Sequence, residues 1–397
     1  MKKLGLLPRI IIAIIFGIIV GKIAPDWIIQ TLATFNSLFG NFLSFIIPFI
    51  IIGFIAPGIG QLGKGAGKLL GITTGFAYVS TILAGLLAFF AASFIYPNIL
   101  QAEASLGSFT SPEEALLSPF FTVDMPPIMG VMTALLTAFL LGLGVTFIKG
   151  NALTTILVEF REIIEKVISA VIIPFLPIHI FGILANMTNG GQVETILSVF
   201  VKVFVMIIAL HFLMLIIQYT TGGVAARKNP FVLLKGMLPA YFTALGTQSS
   251  ASTIPVTLRQ TKKMGVREKV ADFTVPLLAT IHLSGSTITL VSCSMAIMFL
   301  TGDTPTLESY FPFILMLGIT MIAAPGVPGG AVMAALGLLE TMLGFDQTLL
   351  TLMIALYLAQ DSFGTATNVT GDGALSLLVD KMNKERSSEK LSQVKAS

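Results

Sequence analysis

Apolar residues run in blocks of about 20 along this chain, near 10–24, 38–58, 69–96, 127–148, 168–187 and 196–219. Each block is long enough to cross a bilayer as a helix. Two later apolar stretches, 230–260 and 311–340, are interrupted in the middle. The first interruption reads Thr247-Gln248-Ser249-Ser250-Ala251-Ser252-Thr253-Ile254-Pro255, the second Ala324-Pro325-Gly326-Val327-Pro328-Gly329-Gly330-Ala331. Pro and Gly stop a helix, and serine-rich backbone reorganises easily. Unwound backbone at membrane depth survives only where protein buries it or it lines a cavity. The pattern therefore predicts two re-entrant hairpins, with a further span near 270–298 between them. The last apolar stretch, Leu349 to Val379, carries Asp361, Thr365, Asn368 and Asp372 at spacings of four, three and four. On a helix these four fall within an arc of roughly 60° and form a polar stripe roughly 16 Å long.

A charge at mid-bilayer costs on the order of 3 kcal/mol even on lenient scales. The stripe must then face protein or a water-filled cavity, and such a stripe usually marks the path of an ion or solute. The plainer alternative is a pair of acids neutralised by packing partners.

Composition agrees with the pattern. The chain has 397 residues, 55% of them hydrophobic and 11% charged, against about 25% charged in soluble domains. Mean hydropathy is +0.92. The expected class is an all-α polytopic membrane protein with eight transmembrane helices and two re-entrant hairpins. The single cysteine, Cys293, excludes an internal disulfide and a multi-cysteine zinc site, and a net charge of +3 is too small to suggest nucleic acid. The amino terminus lacks a small-residue cleavage site before Trp27, so the first run reads as a retained helix rather than a signal peptide.

Charge orients the spans. Segments 1–9, 61–68, 149–166, 225–235, 259–269 and 381–395 hold 21 of the 23 Lys and Arg residues, whereas 97–126, 188–195 and 302–310 hold none and carry seven acids. Under the positive-inside rule both termini are cytoplasmic, in a cell membrane. Eight spans fit that parity only if each broken segment enters and leaves on one side. Two hairpins of opposite entry suggest an inverted repeat, a sequence pointer to a transporter's binding site.

The serine-rich tip Ser249-Ser250-Ala251-Ser252-Thr253, the tip Gly326-Val327-Pro328-Gly329-Gly330 and the run from Asp361 through Asn368-Val369-Thr370-Gly371-Asp372 resemble the glutamate-transporter family, the dicarboxylate/amino acid:cation symporters. The resemblance implies an elevator fold with inverted repeats in a homotrimer. A scaffold would comprise 8–60 and 127–190, and a transport domain 69–96 and 196–380, with a cytoplasmic tail at 381–397. It also implies roles. Asp361 would hold a substrate ammonium, Asn368 with Ser250 the α-carboxylate, and Thr365, Ser249, Ser286 and Val327 would line the same site. Asp372 and Asn368 would hold one sodium, and Thr280 a second together with backbone of the second hairpin.

Two departures change the expectation. Gly364 stands where acidic-substrate members carry arginine, and glycine offers no fork for a side-chain carboxylate. The segment His282-Leu283-Ser284-Gly285-Ser286 replaces the family's Asn-Met-Asp-Gly-Thr. Ser284 ligates without charge, so a third sodium site is expected to be lost despite Ser80 and Thr81 at matching positions. His282 either titrates, which would make a proton the coupling ion, or is neutral and bonded to carbonyls at a helix break. His179 and His211 are expected to pack. The expected function is sodium-driven symport of a small neutral amino acid with up to two sodium ions, the alternative being proton coupling or an acidic or dicarboxylate substrate. An intramembrane aspartyl enzyme needs carboxyls about 3 Å apart, which Asp361 and Asp372 on one helix do not offer. Nothing resembles a charged ring or carbonyl filter, so any channel-like conduction would be incidental to transport.

Overall fold

The computed structural model describes residues 6–63, 68–100, 116–191, 193–324 and 328–396. Among the described residues every regular element is a helix, and 116–130 run as irregular chain. α1 spans Leu6–Ile23, α2 Asp26–Gly63, α3 Lys68–Ile99 and α4 Val131–Phe147. α5, Ala152–Val167, passes through a π-helical turn at Ile168–Ile172 into α6, Ile173–Asn189. Pro174 at the start of α6 has no N–H to give the preceding turn, which is where such a bulge is expected. α7 spans Val193–Ala226, α8 Pro230–Thr247, α9 Ser250–Lys263, α10 Glu268–Ile281, α11 Ser284–Leu300, α12 Leu307–Ala323, α13 Gly330–Leu343 and α14 Gln347–Ala396.

Among the described residues six helical stretches are long and apolar enough to cross a bilayer: 26–60, 69–99, 152–189, 197–226, 268–300 and 347–383. The other two expected spans fall on α1 and α4, which are 18 and 17 residues long. The stretch near 270–298 is not one continuous helix, as its apolar run suggested. It breaks at His282-Leu283, where the backbone turns extended at His282 (φ −111°, ψ 101°). Residues 381–396 continue α14 as helix.

Local chemistry explains the hairpins. Asn229 caps α8 by accepting from the N–H groups of Phe231 and Val232, with Pro230 at the first helical position. α8 ends at Gln248 in the left-handed region (φ 54°), and Ser249 starts α9 by accepting from Ser252 N–H. The second hairpin begins at 307, earlier than its apolar run, because Thr306 and Ser309 form a reciprocal capping box. Its returning arm starts after Gly329, whose φ of 74° suits glycine.

Two sets of helices pack within themselves more than across. α1, α2, α4, α5 and α6 form one set, and α3 with α7 to α11 and α14 the other; the second hairpin touches both. In the first set α1 lies on α6 through Gly17 and Gly21, where a Cβ would run into the Phe181 and Ala185 carbonyls. Small residues four apart permit this close crossing. In the second, α14 is central, contacting α3, α7, α8, α9, α10 and α11.

Candidate functional site

The polar stripe of α14 is buried. Asp361 is 5% exposed, Thr365 6%, Asn368 1% and Asp372 0%. It faces protein, as the cost of a charge in lipid requires.

At the N-terminal end of the stripe the Asp361 carboxylate accepts a hydrogen bond from Gly329 N–H at the tip of the second hairpin, at 2.8 Å. The Thr365 hydroxyl lies beside it. Asp361 thus ties the hairpin to α14 and keeps acceptor capacity for a cationic group. Gly364, without a side chain, packs against the Gly285–Ser286 backbone nearby. A Cβ built there would meet Ser286 N at 3.4 Å and nothing closer.

Asn368 sits at the break between α10 and α11. The first N–H groups of a helix have no partner within it, and Leu283, at the cap position of α11, offers none. Asn368 supplies it from the neighbouring helix, its Oδ1 accepting from Gly285 N at 2.7 Å and Ser286 N at 3.3 Å. Its Nδ2 donates to Ser286 Oγ at 3.0 Å. An amide has two such N–H donors, so one is left for a ligand. The contact requires glycine at 285, because a Cβ there would collide with the Gly364 carbonyl and lie 2.7 Å from Thr367 Cβ.

The C-terminal end of the stripe is a polar network. His282 Nδ1 lies 2.9 Å from Asp372 Oδ1, and its Nε2 lies 3.0 Å from Ser80 Oγ. Gln218 of α7 donates to Ser80 Oγ at 3.0 Å and Ser284 Oγ at 3.2 Å. The expectation that a neutral His282 would bond to carbonyls at the helix break is therefore corrected. Its ring points across the break to a carboxylate on one side and a hydroxyl on the other. Asp372 Oδ2 is buried with no hydrogen-bond partner. A bare carboxylate oxygen of this kind suits a hard cation. Ser80 and Ser284 are committed to Gln218, and Thr81 bonds back to the Ala77 carbonyl of its own helix.

Other expected residues are placed as follows. Thr280 donates to the Leu277 carbonyl and lines a cavity of about 250 Å³ together with Ile322, Ala323 and Ala324 of the second hairpin. Ser250 is buried at the first tip, whereas Ser249 spends its hydroxyl on capping α9. Val327 lies outside the described residues. His179 joins two helix sets, with Nδ1 3.0 Å from the Asn36 amide and Nε2 2.8 Å from Thr351 Oγ1. His211 Nε2 donates to the Gly285 carbonyl at 3.0 Å, bracing the break from α7.

Sequence reasoning passed over Gln218, Gly285 and Tyr357. Gln218 carried a signal, being an amide inside the apolar run of α7, and polar groups at that depth are costly unless used. For Gly285 the sequence shows only a glycine near a helix start.

The profile of the sodium:dicarboxylate symporter family matches residues 6–382. The chain is also similar to curated relatives named serine/threonine transporter SstT. It is 25% identical to that of Acinetobacter baylyi, over 96% of this chain and 98% of the relative. It is 26% identical to that of Acinetobacter baumannii (strain AYE), over 97% and 99%. It is 25% identical to that of Streptococcus suis, over 84% and 94%.

Proposed function

Because the chain belongs to the sodium:dicarboxylate symporter family, we propose that it is a secondary transporter, not an enzyme, that carries a small neutral amino acid of the serine or threonine kind together with sodium. The observation that carries this reading is Asp361. It is a buried carboxylate that accepts from a backbone N–H and has only uncharged groups around it, with glycine rather than a cationic side chain at 364. A carboxylate held out of water is the natural partner of an ammonium, and glycine at 364 offers no guanidinium to hold a second carboxylate. A dicarboxylate without an amine would face Asp361 with like charge. The names of the relatives support the same substrate class.

In this reading the ammonium binds Asp361, and the α-carboxylate takes the remaining Asn368 N–H with help from Ser250. Thr365 and Ser286 complete the walls. Asp372 Oδ2 offers an anionic oxygen for one sodium, and Thr280 with backbone of the second hairpin surrounds a second. A third ion has no carboxylate at Ser284, whose hydroxyl is already bonded to Gln218. At most two sodium ions are coupled.

Alternating access follows from the two helix sets. Residues 8–60 and 127–190 form a scaffold and 69–96 with 196–380 the carrier, which slides as an elevator within a homotrimer in the cell membrane, both termini cytoplasmic. Ala323 of the second hairpin meets α2 at Gly58, five residues from its end on the basic side, and Gln347 at the start of α14 bonds to Ser44 midway along α2. These depths support a carrier lowered toward the cytoplasmic face.

A second reading has one observation in its favour, the His282–Asp372 contact, which places a proton-carrying ring where a cation would otherwise pair. Uptake of radiolabelled serine, alanine and aspartate into proteoliposomes tests both. Serine uptake driven by an inward sodium gradient at constant pH is expected. Uptake indifferent to sodium that follows an inward proton gradient would replace the first reading with the second, and preference for aspartate would reject the neutral substrate.

A further inference from the structure

One polar side chain in this pocket has no part in the roles above. Tyr357 lies on α14 one turn before Asp361 and is completely buried. A buried phenol normally finds a partner for its hydroxyl. The other fully buried tyrosines do so. Tyr96 donates to the Ser292 carbonyl at 2.8 Å, Tyr219 to the Thr370 carbonyl at 2.7 Å, and Tyr310 meets the Ser294 hydroxyl at 2.6 Å. The Tyr357 hydroxyl completes no hydrogen bond, although the Asp361 carboxylate and the Ser286 hydroxyl both lie beside it. Phenylalanine would fill the same space without stranding an oxygen.

The placement says what that oxygen faces. Residues seven apart on a helix lie within about 20° of one another, so Tyr357 and Gly364 share a face two turns apart, with Asp361 between them. Ser286 borders both, and its hydroxyl is bonded to Asn368. An amino acid with its ammonium on Asp361 and its carboxylate toward Asn368 therefore lies along this face of α14, with its side chain toward Ser286 and the Tyr357 hydroxyl, which lie beside one another. Asp361 is taken by the ammonium and Ser286 Oγ already accepts from Asn368 Nδ2, which leaves the phenol as the hydroxyl there with no hydrogen bond made.

We propose that Tyr357 is a specificity-determining residue that reads the hydroxyl of the substrate's side chain, selecting serine or threonine over alanine. The inference rests on the amino-acid reading above and deepens it. A phenol both donates and accepts, so it matches an alcohol without introducing charge. Alanine would bind in the same place but leave the phenol as unpaired as it is in the empty site. One neutral hydrogen bond corresponds to a preference of about tenfold, and a site built around such a bond discriminates more strongly when both partners are dry.

The test is calorimetric titration of serine and alanine into wild-type protein and Tyr357→Phe, in sodium buffer, with melting temperatures of both proteins. Wild type is expected to bind serine about tenfold more tightly than alanine. Tyr357→Phe is expected to bind serine as weakly as alanine, to keep alanine binding, and to melt no lower than wild type. Undiminished preference for serine in the variant would overturn the proposal. So would equal loss of both ligands or a clear fall in melting temperature, since either assigns the hydroxyl to packing. Wild-type protein that binds neither amino acid would instead reject the transport reading on which the proposal stands.

Discussion

Replacing Asp361 by asparagine separates the two jobs this carboxylate holds. Asparagine is nearly isosteric, and its Oδ1 can still accept from Gly329 N–H, the 2.8 Å bond that fastens the second hairpin. What disappears is the charge. A hydrogen bond to a charged partner contributes about 1.5–3 kcal/mol, which is roughly 12- to 160-fold in affinity. The loss at this position lies at or above the upper end. Asp361 is 5% exposed, so an ammonium bound there without a counter-ion is left buried and unpaired, and that is costlier than losing an exposed pair. Binding of serine is measured by calorimetry, and folding by melting temperature and the size of the detergent-solubilised particle. Asp361→Asn should fold as wild type and bind no amino acid measurably. Asp361→Ala should lose the hairpin contact as well, giving the same loss of binding and a more protease-sensitive hairpin. Affinity within about threefold of wild type in Asp361→Asn, a difference of about 0.65 kcal/mol, would refute the assignment of the ammonium to this residue.

Three further outcomes are expected. Gly364→Arg should shift uptake from serine toward aspartate, because the first carbon of the new side chain finds ordinary contact distances of 3.4 to 3.6 Å and the guanidinium must enter the side-chain end of the pocket; unchanged preference for serine in transport assays would argue against that geometry. Gly285→Ala should lower the melting temperature and abolish serine binding, since a Cβ there pushes against the Gly364 carbonyl and opens the 2.7 Å bond from Gly285 N to Asn368, an overpacking cost of about 1–3 kcal/mol; wild-type melting and binding would show that α11 and α14 are not in close contact. Asp372→Asn should weaken the sodium dependence of serine binding because it removes the charge behind the unpartnered Oδ2, and a sodium Hill coefficient clearly above two in the wild type would show that Ser284 does not abolish a third site.

What the sequence determined by itself is what depends on neighbours along the chain. Apolar runs and the cost of burying charge place the membrane spans, and Pro, Gly and Ser clusters place the two hairpin tips, because helix termination is local. The stripe of Asp361, Thr365, Asn368 and Asp372 was legible for the same reason, since helical periodicity alone aligns residues spaced by three and four. That Gly364 stands where acidic-substrate members carry arginine came from the resemblance to the family, not from periodicity. The tertiary structure decided everything that depends on partners far away in the chain. Asn368 caps a helix that starts 84 residues before it, His282 reaches Asp372 and Ser80 across 90 and 202 residues, and Gln218 ties three elements together. No local pattern announces these contacts, because a hydrogen bond depends on distance and angle in space and leaves no spacing rule behind. The break at His282-Leu283 was hidden for a related reason. No proline or glycine pair marks it, and the N–H groups it frees are met by α14 rather than by a capping residue of its own. Tyr357 was the least legible, since an aromatic on an apolar helix reads as packing until the surroundings of its hydroxyl are seen.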